Sequence, residues 1–420
     1  MIVGAFVSLV FLYSLVSRRL EQTVVTAPIV FTCAGILVFL LRSASTELEL
    51  DRKAFLLIAE IGLVMTLFTD ATRVDLPSLG NNSNLPVRLL AIGMLPTIAL
   101  GAVGALVVVG GLSLWEAGIV AAILAPTDAG LGQLIVSSPR VPARIRAALN
   151  VEAGLNDGLA VPFLMVFIAL AAKGTGGAGV VLTRFLGEQL GYGTLVGFGI
   201  GLVGGRLLGL ADRRGWMAAP WRQLGLVALP LLCVLASEAT GASMLIAAFV
   251  AGLAVQPGFA EASRHSVEFT EEWGQLFDFF VFFLFGLLVA QAWPHFSPAL
   301  LLYAILSLTV VRMGPVALAL AGTGLSRATV LFMGWFGPRG LASIVLGLVY
   351  LEQEASLPGE STIRLAVMAT VLLSIVAHGL SAVPGIDVYA RSIASLDPGA
   401  PELQAIEEEQ ICRHQAAASP

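Results

Sequence analysis

The chain has 420 residues, of which 57% are apolar and only 12% charged, with a net charge of −5. Soluble domains carry roughly 25% charged residues, so a chain this poor in charge cannot clothe a large core in water and takes lipid as its outer solvent. The small net charge, the presence of only two lysines (Lys53 and Lys173) and the lack of any basic cluster argue against a nucleic-acid partner. Cys33, Cys233 and Cys412 are too scattered for a disulfide framework or a metal site. His265, His295, His378 and His414 form no metal motif, and no cofactor is expected.

The first seventeen residues form an apolar run that ends in Ser17-Arg18-Arg19. A leader peptide carries its charge before the apolar run and a small-residue cleavage site after it; the reversed order reads as a first transmembrane helix. A span needs about 20 mostly apolar residues as a helix. Runs at 1–17, 24–41, 54–70, 87–110, 114–136 and 147–171 are followed by 187–209, 222–237, 241–256, 275–292, 298–321, 328–350 and 363–383, thirteen in all. The eighth and ninth are short and divide at Thr240-Gly241. With the N-terminus outside, most of the arginines fall in cytoplasmic segments, among them Arg18, Arg19, Arg140, Arg144, Arg146, Arg213 and Arg214. That bias, which the charged 42–53 segment opposes, places the C-terminus in the cytoplasm of a bacterial inner-membrane protein. After Pro384 the chain turns polar, and 385–420, with Glu407-Glu408-Glu409 and an Ala/Ser/Pro end, reads as a partly disordered tail. In the seventh run Gly193, Gly197, Gly201, Gly205 and Gly209 line one helix face for close packing.

An ionised group at the bilayer centre costs at least ~2.5 kcal/mol, so each one there needs a reason. Pro126-Thr127-Asp128 falls mid-span, followed by Gly130 and Gly132. Proline removes a backbone donor and frees a carbonyl one turn back, which marks a discontinuous helix whose opened groups Thr127 and Asp128 can satisfy. The next run carries Glu152, Asn156 and Asp157. Glu152 and Asn156 share a face, whereas Asp157 lies about 140° round from Glu152 and faces another neighbour. Ion pairing could explain Glu152 but explains Asp157 poorly. The twelfth run is also broken, at Gly337-Pro338-Arg339-Gly340, and the eleventh carries Arg312 with Pro315. Broken runs five and twelve stand seven apart, as expected of two inverted repeats, runs 1–6 and 8–13, with paired discontinuous helices around a midplane ion site. Glu60 is a possible accessory to that site. Glu238 and Asp278 lie near span ends and read as interfacial, and His378 reads as a packing residue more readily than as a proton relay.

These motifs resemble the NhaP-type sodium/proton antiporters of the monovalent cation:proton antiporter-1 family. That family carries a Thr-Asp-Pro break, a Glu-Ser-x-x-Asn-Asp helix and a late Gly-x-Arg-Gly segment. Thr127-Asp128, Glu152 with Asn156-Asp157, and Gly337-Pro338-Arg339-Gly340 fall in that order, over roughly residues 1–384. The resemblance implies an all-α exchanger domain at 1–384 and a likeness in function: one monovalent cation, Na+ with Li+ or K+ as alternatives, for one H+ by alternating access, in a homodimer within the bilayer. It implies Asp157, Asp128, Thr127 and Asn156 as the cation and proton site, with Asp157 and Thr127 on the metal ion. It also implies a Glu152–Arg339 bridge, and Arg312 balancing the negative ends of the half-helices. Two departures stand out: Ala153 replaces the family serine, and Ala129 the family proline, for which Pro126 can substitute. An intramembrane aspartyl protease using Asp128 and Asp157 would want a GxGD-like context, which is absent, and a channel would not need the buried acid and arginines.

Overall fold

In the computed structural model the described residues are 2–20, 23–41, 52–73, 84–128, 130–173, 187, 191–259, 265–352, 357–397 and 399–404. Of the opposing 42–53 segment, Arg42 lies outside them while Arg52 and Lys53 begin α3; Ala129 and the acidic run at 407–409 also lie outside. The described residues form helices and turns without a strand. The helices are α1 (Ile2–Leu20), α2 (Ala27–Leu41), α3 (Arg52–Arg73), α4 (84–109), α5 (Leu114–Ile123), α6 (Gln133–Val136) and α7 (Ala143–Lys173). They continue as α8 (Tyr192–Arg213), α9 (Ala219–Thr240), α10 (Met244–Val255), α11 (His265–Ala292), α12 (Pro298–Ala319), α13 (Arg327–Trp335), α14 (Leu341–Glu352) and α15 (Glu360–Ile393). Eight helices among the described residues are individually long and apolar enough to span a bilayer. The shorter apolar helices α2, α5, α10 and α14, together with the 22-residue α3, account for the other five expected passes: α5 with α6 forms the fifth and α13 with α14 the twelfth.

Local chemistry sets the boundaries. Ser113 opens α5 with a reciprocal capping box to Glu116. Ser243, Ser297 and Ser326 accept an N–H of the first turn of α10, α12 and α13. Gly241 closes α9 in the left-handed conformation, with φ 69°, which settles the division between the eighth and ninth runs. At the far end of α12, Arg88 donates to the carbonyls of Ala319 (2.6 Å) and Ala321 (2.5 Å), a cation on the negative end of a helix.

The glycine stripe is buried against α10. A Cβ on Gly197, Gly201 or Gly209 would overlap the carbonyl oxygen of Ala247, Ala251 or Gly258. Gly35 and Gly286 give α2 and α11 the same close approach, next to an aromatic cluster of Phe6, Phe31, Phe279 and Phe280. Backbone contact of this kind matters in lipid, where apolar side chains gain little by leaving the solvent.

The last helix corrects the expectation for the tail. α15 continues through Pro384 to Ile393, and residues 401–404 return to the arginine-rich end of the bundle. Glu402 is buried there and accepts from the Ser326 N–H (2.6 Å) and the Thr329 hydroxyl (2.9 Å), while Arg144 donates to Pro401 O (2.7 Å) and Gln404 Oε1 (2.8 Å). Burial alone would raise the Glu402 carboxyl, but the Ser326 N–H and the Ser326 and Thr329 hydroxyls outweigh it and hold it below its ordinary 4.5.

Two predictions follow from this packing. Gly201→Val should lower the melting temperature by an overpacking cost of about 1–3 kcal/mol, whereas Gly199→Ala, with nothing within 4 Å of its Cβ, should change it little. For Glu402, a carboxyl depressed in the folded state adds stability that is complete above its unfolded value and fades as pH falls through the folded one. The 399–404 amides should therefore resist hydrogen exchange at neutral pH and lose protection only below the ordinary 4.5. Glu402→Gln should expose them throughout, and loss of protection near pH 6 in the parent protein would contradict the docking.

Candidate ion-binding site

The two interrupted passes cross, and each break meets the groups the other has opened. The Asp128 N–H donates to Pro338 O (2.8 Å). The Asp128 carboxylate accepts from the N–H groups of Leu131 (2.9 Å) and Leu341 (2.5 Å), so one side chain caps α14 and also the turn that leads into α6. An anion at the positive end of a helix is favourable. Gly340 makes the approach possible, because a Cβ there would overlap Asp128 Oδ2. Thr127 is held from α7: its N–H donates to Asn156 Oδ1 (3.2 Å), and its Oγ1 accepts from Asn156 Nδ2 (2.7 Å).

The arginines exchange the roles expected of them. Glu152 pairs with Arg312 through a two-pronged bridge, Nη1 to Oε1 at 2.5 Å and Nη2 to Oε2 at 2.9 Å, and not with Arg339. Arg339 instead donates through Nη1 to the carbonyls of Ala125 and Pro126 (the latter at 3.0 Å), the negative end of the α5 half-helix. Glu152 remains an electrostatic neighbour of Arg339, but its hydrogen-bonded partner comes from α12. The reason is steric: Gly337, where a Cβ would overlap Arg312 Nε, leaves room for the Arg312 guanidinium beside the break. Glu152, Arg312 and Arg339 are 2%, 3% and 0% exposed, so each charge must find its partner inside the protein.

Asp157 points elsewhere, as its helical position requires. It is 6% exposed, and its Oδ1 has no hydrogen-bond partner among the described residues. It lines a cavity of about 590 Å³ together with Asp70, Asp128, Asp278, Thr66 and Thr69. The cavity reaches half-buried Ser17 and exposed Ser14 and Gln275, at the end of α1 that carries Arg18 and Arg19.

The cavity thus brings Asp157 and Asp128 together but not Thr127 or Asn156, which bind each other behind it. Thr127 is therefore not placed as a shared ligand with Asp157. Thr127, Asp128, Glu152 and Ala153 line a second, smaller pocket of about 20 Å³. Glu60 is buried but absent from the cavity wall, ten residues from Asp70 and so roughly 15 Å along α3. Glu238 is exposed at the end of α9, whereas Asp278 lines the cavity. Asp70 was missed from the sequence; its signal was the polar ladder Thr66-x-x-Thr69-Asp70 near the end of the third run. Among the described residues, no three His, Cys, Asp or Glu side chains lie close enough to hold a resident metal.

A multi-pass helical membrane protein with two crossed broken helices and a buried acid beside them has the architecture of a secondary ion transporter. The chain belongs to the sodium/hydrogen exchanger family, whose transmembrane model matches residues 5–386. It is 26% identical to the K(+)/H(+) antiporter NhaP of Alkalimonas amylolytica over 90% of this chain and 65% of that protein. It is also 26% identical to the Na(+)/H(+) antiporter NhaG of Bacillus atrophaeus over 71% of this chain and 59% of that one. A 27% identity to Na(+)/H(+) antiporter 2 of Zygosaccharomyces rouxii covers 61% of this chain and 34% of that one. The chain thus spans between about a third and two thirds of these relatives' lengths. The fold matches the sodium proton antiporter MjNhaP1 from Methanocaldococcus jannaschii with a TM-score of 0.70 at 21% identity, covering 94% of this chain and 98% of that one.

Removing one partner of a buried ion pair typically costs about 3–5 kcal/mol, because the other charge is left uncompensated. Arg312→Ala and Glu152→Ala should each lower thermal stability by that order, and Glu152→Gln combined with Arg312→Met should recover part of it. In double-mutant cycles Glu152 should couple more strongly to Arg312 than to Arg339; the reverse order would restore the pairing expected from the sequence.

Proposed function

We propose that this protein exchanges one monovalent cation, sodium or lithium, for one proton by alternating access, with Asp157 as the carboxylate both ions share. The observation that carries the reading is the buried Asp157 oxygen left without a partner on the wall of a cavity open at one end. A carboxylate in that position holds a proton or a cation, and each displaces the other; that competition is the coupling. The other acids of the crossing are committed, Glu152 to a guanidinium and Asp128 to the N-terminus of α14 and the turn before α6. An aspartyl-protease reading would need both Asp128 and Asp157 at work, and the Asp128 commitments weigh against it. Potassium is the second reading of the cargo, favoured by the K(+)/H(+) name of one relative.

The arginine-rich end of the bundle faces the cytoplasm, so this conformation presents Asp157 inward and the C-terminus lies inside. The site's crossing helices move as a body against a more static bundle that forms the interface of a homodimer in the bacterial inner membrane.

The test is exchange in proteoliposomes. Asp157→Asn should abolish cation-driven proton movement while the protein still folds, and appreciable residual coupled flux would sink the assignment. In the parent protein the apparent KM for the cation should rise about tenfold per pH unit below the site's pKa, because one proton displaces one cation, with little change in maximal rate. An imposed membrane potential should leave the rate nearly unchanged. A pH-independent KM would remove the competition, and strong voltage dependence would remove the one-for-one ratio. Running sodium, lithium and potassium in parallel identifies the cargo.

A further inference from the structure

A second buried titratable group sits at the crossing and takes no part in that mechanism. His378, on α15, is 1% exposed. Its Nε2 lies 2.9 Å from the Trp335 carbonyl, the last residue of the α13 half-helix. Its Nδ1 lies 3.1 Å from Ser374 Oγ and 3.0 Å from Ser374 O. Ser374 Oγ in turn accepts the Arg339 N–H at 2.6 Å, just beyond the second break. One imidazole and one hydroxyl on α15 therefore touch both lips of that break.

Donor chemistry orders the chain. A carbonyl only accepts, so Nε2 must carry a proton to bond Trp335. Ser374 Oγ already accepts from Arg339 and keeps its own hydrogen to give, and bare Nδ1 is the acceptor beside it. The sequence Arg339 N–H to Ser374 O–H to His378 Nδ1, then Nε2–H to Trp335 O, is the one a neutral ring carries; Ser374 O, 3.0 Å from Nδ1, competes as an acceptor only if Nδ1 holds the proton. The charged groups facing the ring from neighbouring elements are Arg339 and Arg312, both cations, which a neutral ring suits. Trp335 is further fixed to the same helix by its indole N–H on Ser381 Oγ at 2.9 Å.

We propose that His378, with its proton on Nε2, is a positioning residue: with Ser374 it clamps the two lips of the α13–α14 break. By fixing the Arg339 backbone it aims the Arg339 guanidinium at the Ala125 and Pro126 carbonyls, and so sets the position of Thr127 and Asp128 on the opposite break. The reach from α15 to the cation site is indirect, so cation affinity rather than folding is the property it governs.

This rests on the exchange reading, and the experiment separates the two. His378→Leu, His378→Gln and Ser374→Ala are compared with the parent protein in proteoliposomes, at equal amounts of folded protein. A parent that exchanges no ion is a failure of the exchange reading. If the parent exchanges, His378→Leu should raise the apparent cation KM about tenfold, the weight of roughly 1.4 kcal/mol, and His378→Gln, which keeps a donor for Trp335 O, should recover most of it. Ser374→Ala should raise KM in the same direction, and the double variant with His378→Leu should add little, since both cut one chain. An unchanged KM in His378→Leu, or in Ser374→Ala should the histidine variants not fold, overturns the proposal. An independent readout is the ¹⁵N spectrum of the His378 ring in the parent protein: the Nε2–H tautomer is expected at neutral pH, and a proton on Nδ1 alone overturns the clamp whatever the transport result.

Discussion

The constraint on which the structure depends is that peptide groups cannot go unbonded inside a bilayer. Breaking a transmembrane helix strands N–H donors on one side and carbonyl acceptors on the other, each costing several kcal/mol in hydrocarbon. The chain breaks two helices and crosses them, so that each supplies what the other lacks. Asp128 gives its N–H to Pro338 and its carboxylate to the amides of Leu131 and Leu341. Arg339 gives its guanidinium to the exposed carbonyls at the end of α5. The glycines at 337 and 340 follow from this arrangement, since any side chain there would displace Arg312 or Asp128.

What surrounds the crossing serves to hold it at a fixed geometry. α7 fixes Thr127 through Asn156 and binds Arg312 of α12 through Glu152. α15 grips the second break through Ser374 and His378. Beyond the last turn of α15, Glu402 seats itself on the start of α13 while Arg144, at the start of α7, holds the adjoining backbone. The two halves of the site are thus stapled at the crossing and again at the arginine-rich end. The close backbone packing of α8 on α10 gives the rest of the chain a rigid partner surface.

Much of this was legible in the sequence because lipid simplifies the reading. The thirteen passes follow from hydropathy and the two breaks from proline and glycine inside apolar runs. The divergent directions of Glu152 and Asp157 follow from helical angle alone. The pairing of the arginines was not legible: Arg312 and Arg339 both lie inside spans, and the space that Gly337 leaves for the Arg312 guanidinium appears only once the helices are packed. Asp70 escaped notice because it sits at the end of its run, where a carboxylate is ordinary, and the cavity that makes it unusual is assembled from several helices. Glu60 drew attention by its depth in the run, but its place along α3 keeps it out of the cavity wall. Pro384 looked like a helix end, yet α15 tolerates it and continues.

The charges at the crossing carry one further consequence. Arg312 and Arg339 bring two positive charges into the interior, and Glu152 and Asp128 bring two negative ones, all four held by hydrogen bonds. Asn156, neutral and locked to Thr127, contributes none. Asp70 and Asp278 stand on α3 and α11, outside the crossing, and have interactions of their own. The four charges of the crossing therefore cancel among themselves, and Asp157 shares its cavity with Asp70, Asp128 and Asp278. A buried carboxylate with an unbonded oxygen is costly until something positive joins it, and the candidates that can come and go are a proton and a small cation. On the proposed reading, the cost of burying the bare acid is what couples one cation to one proton.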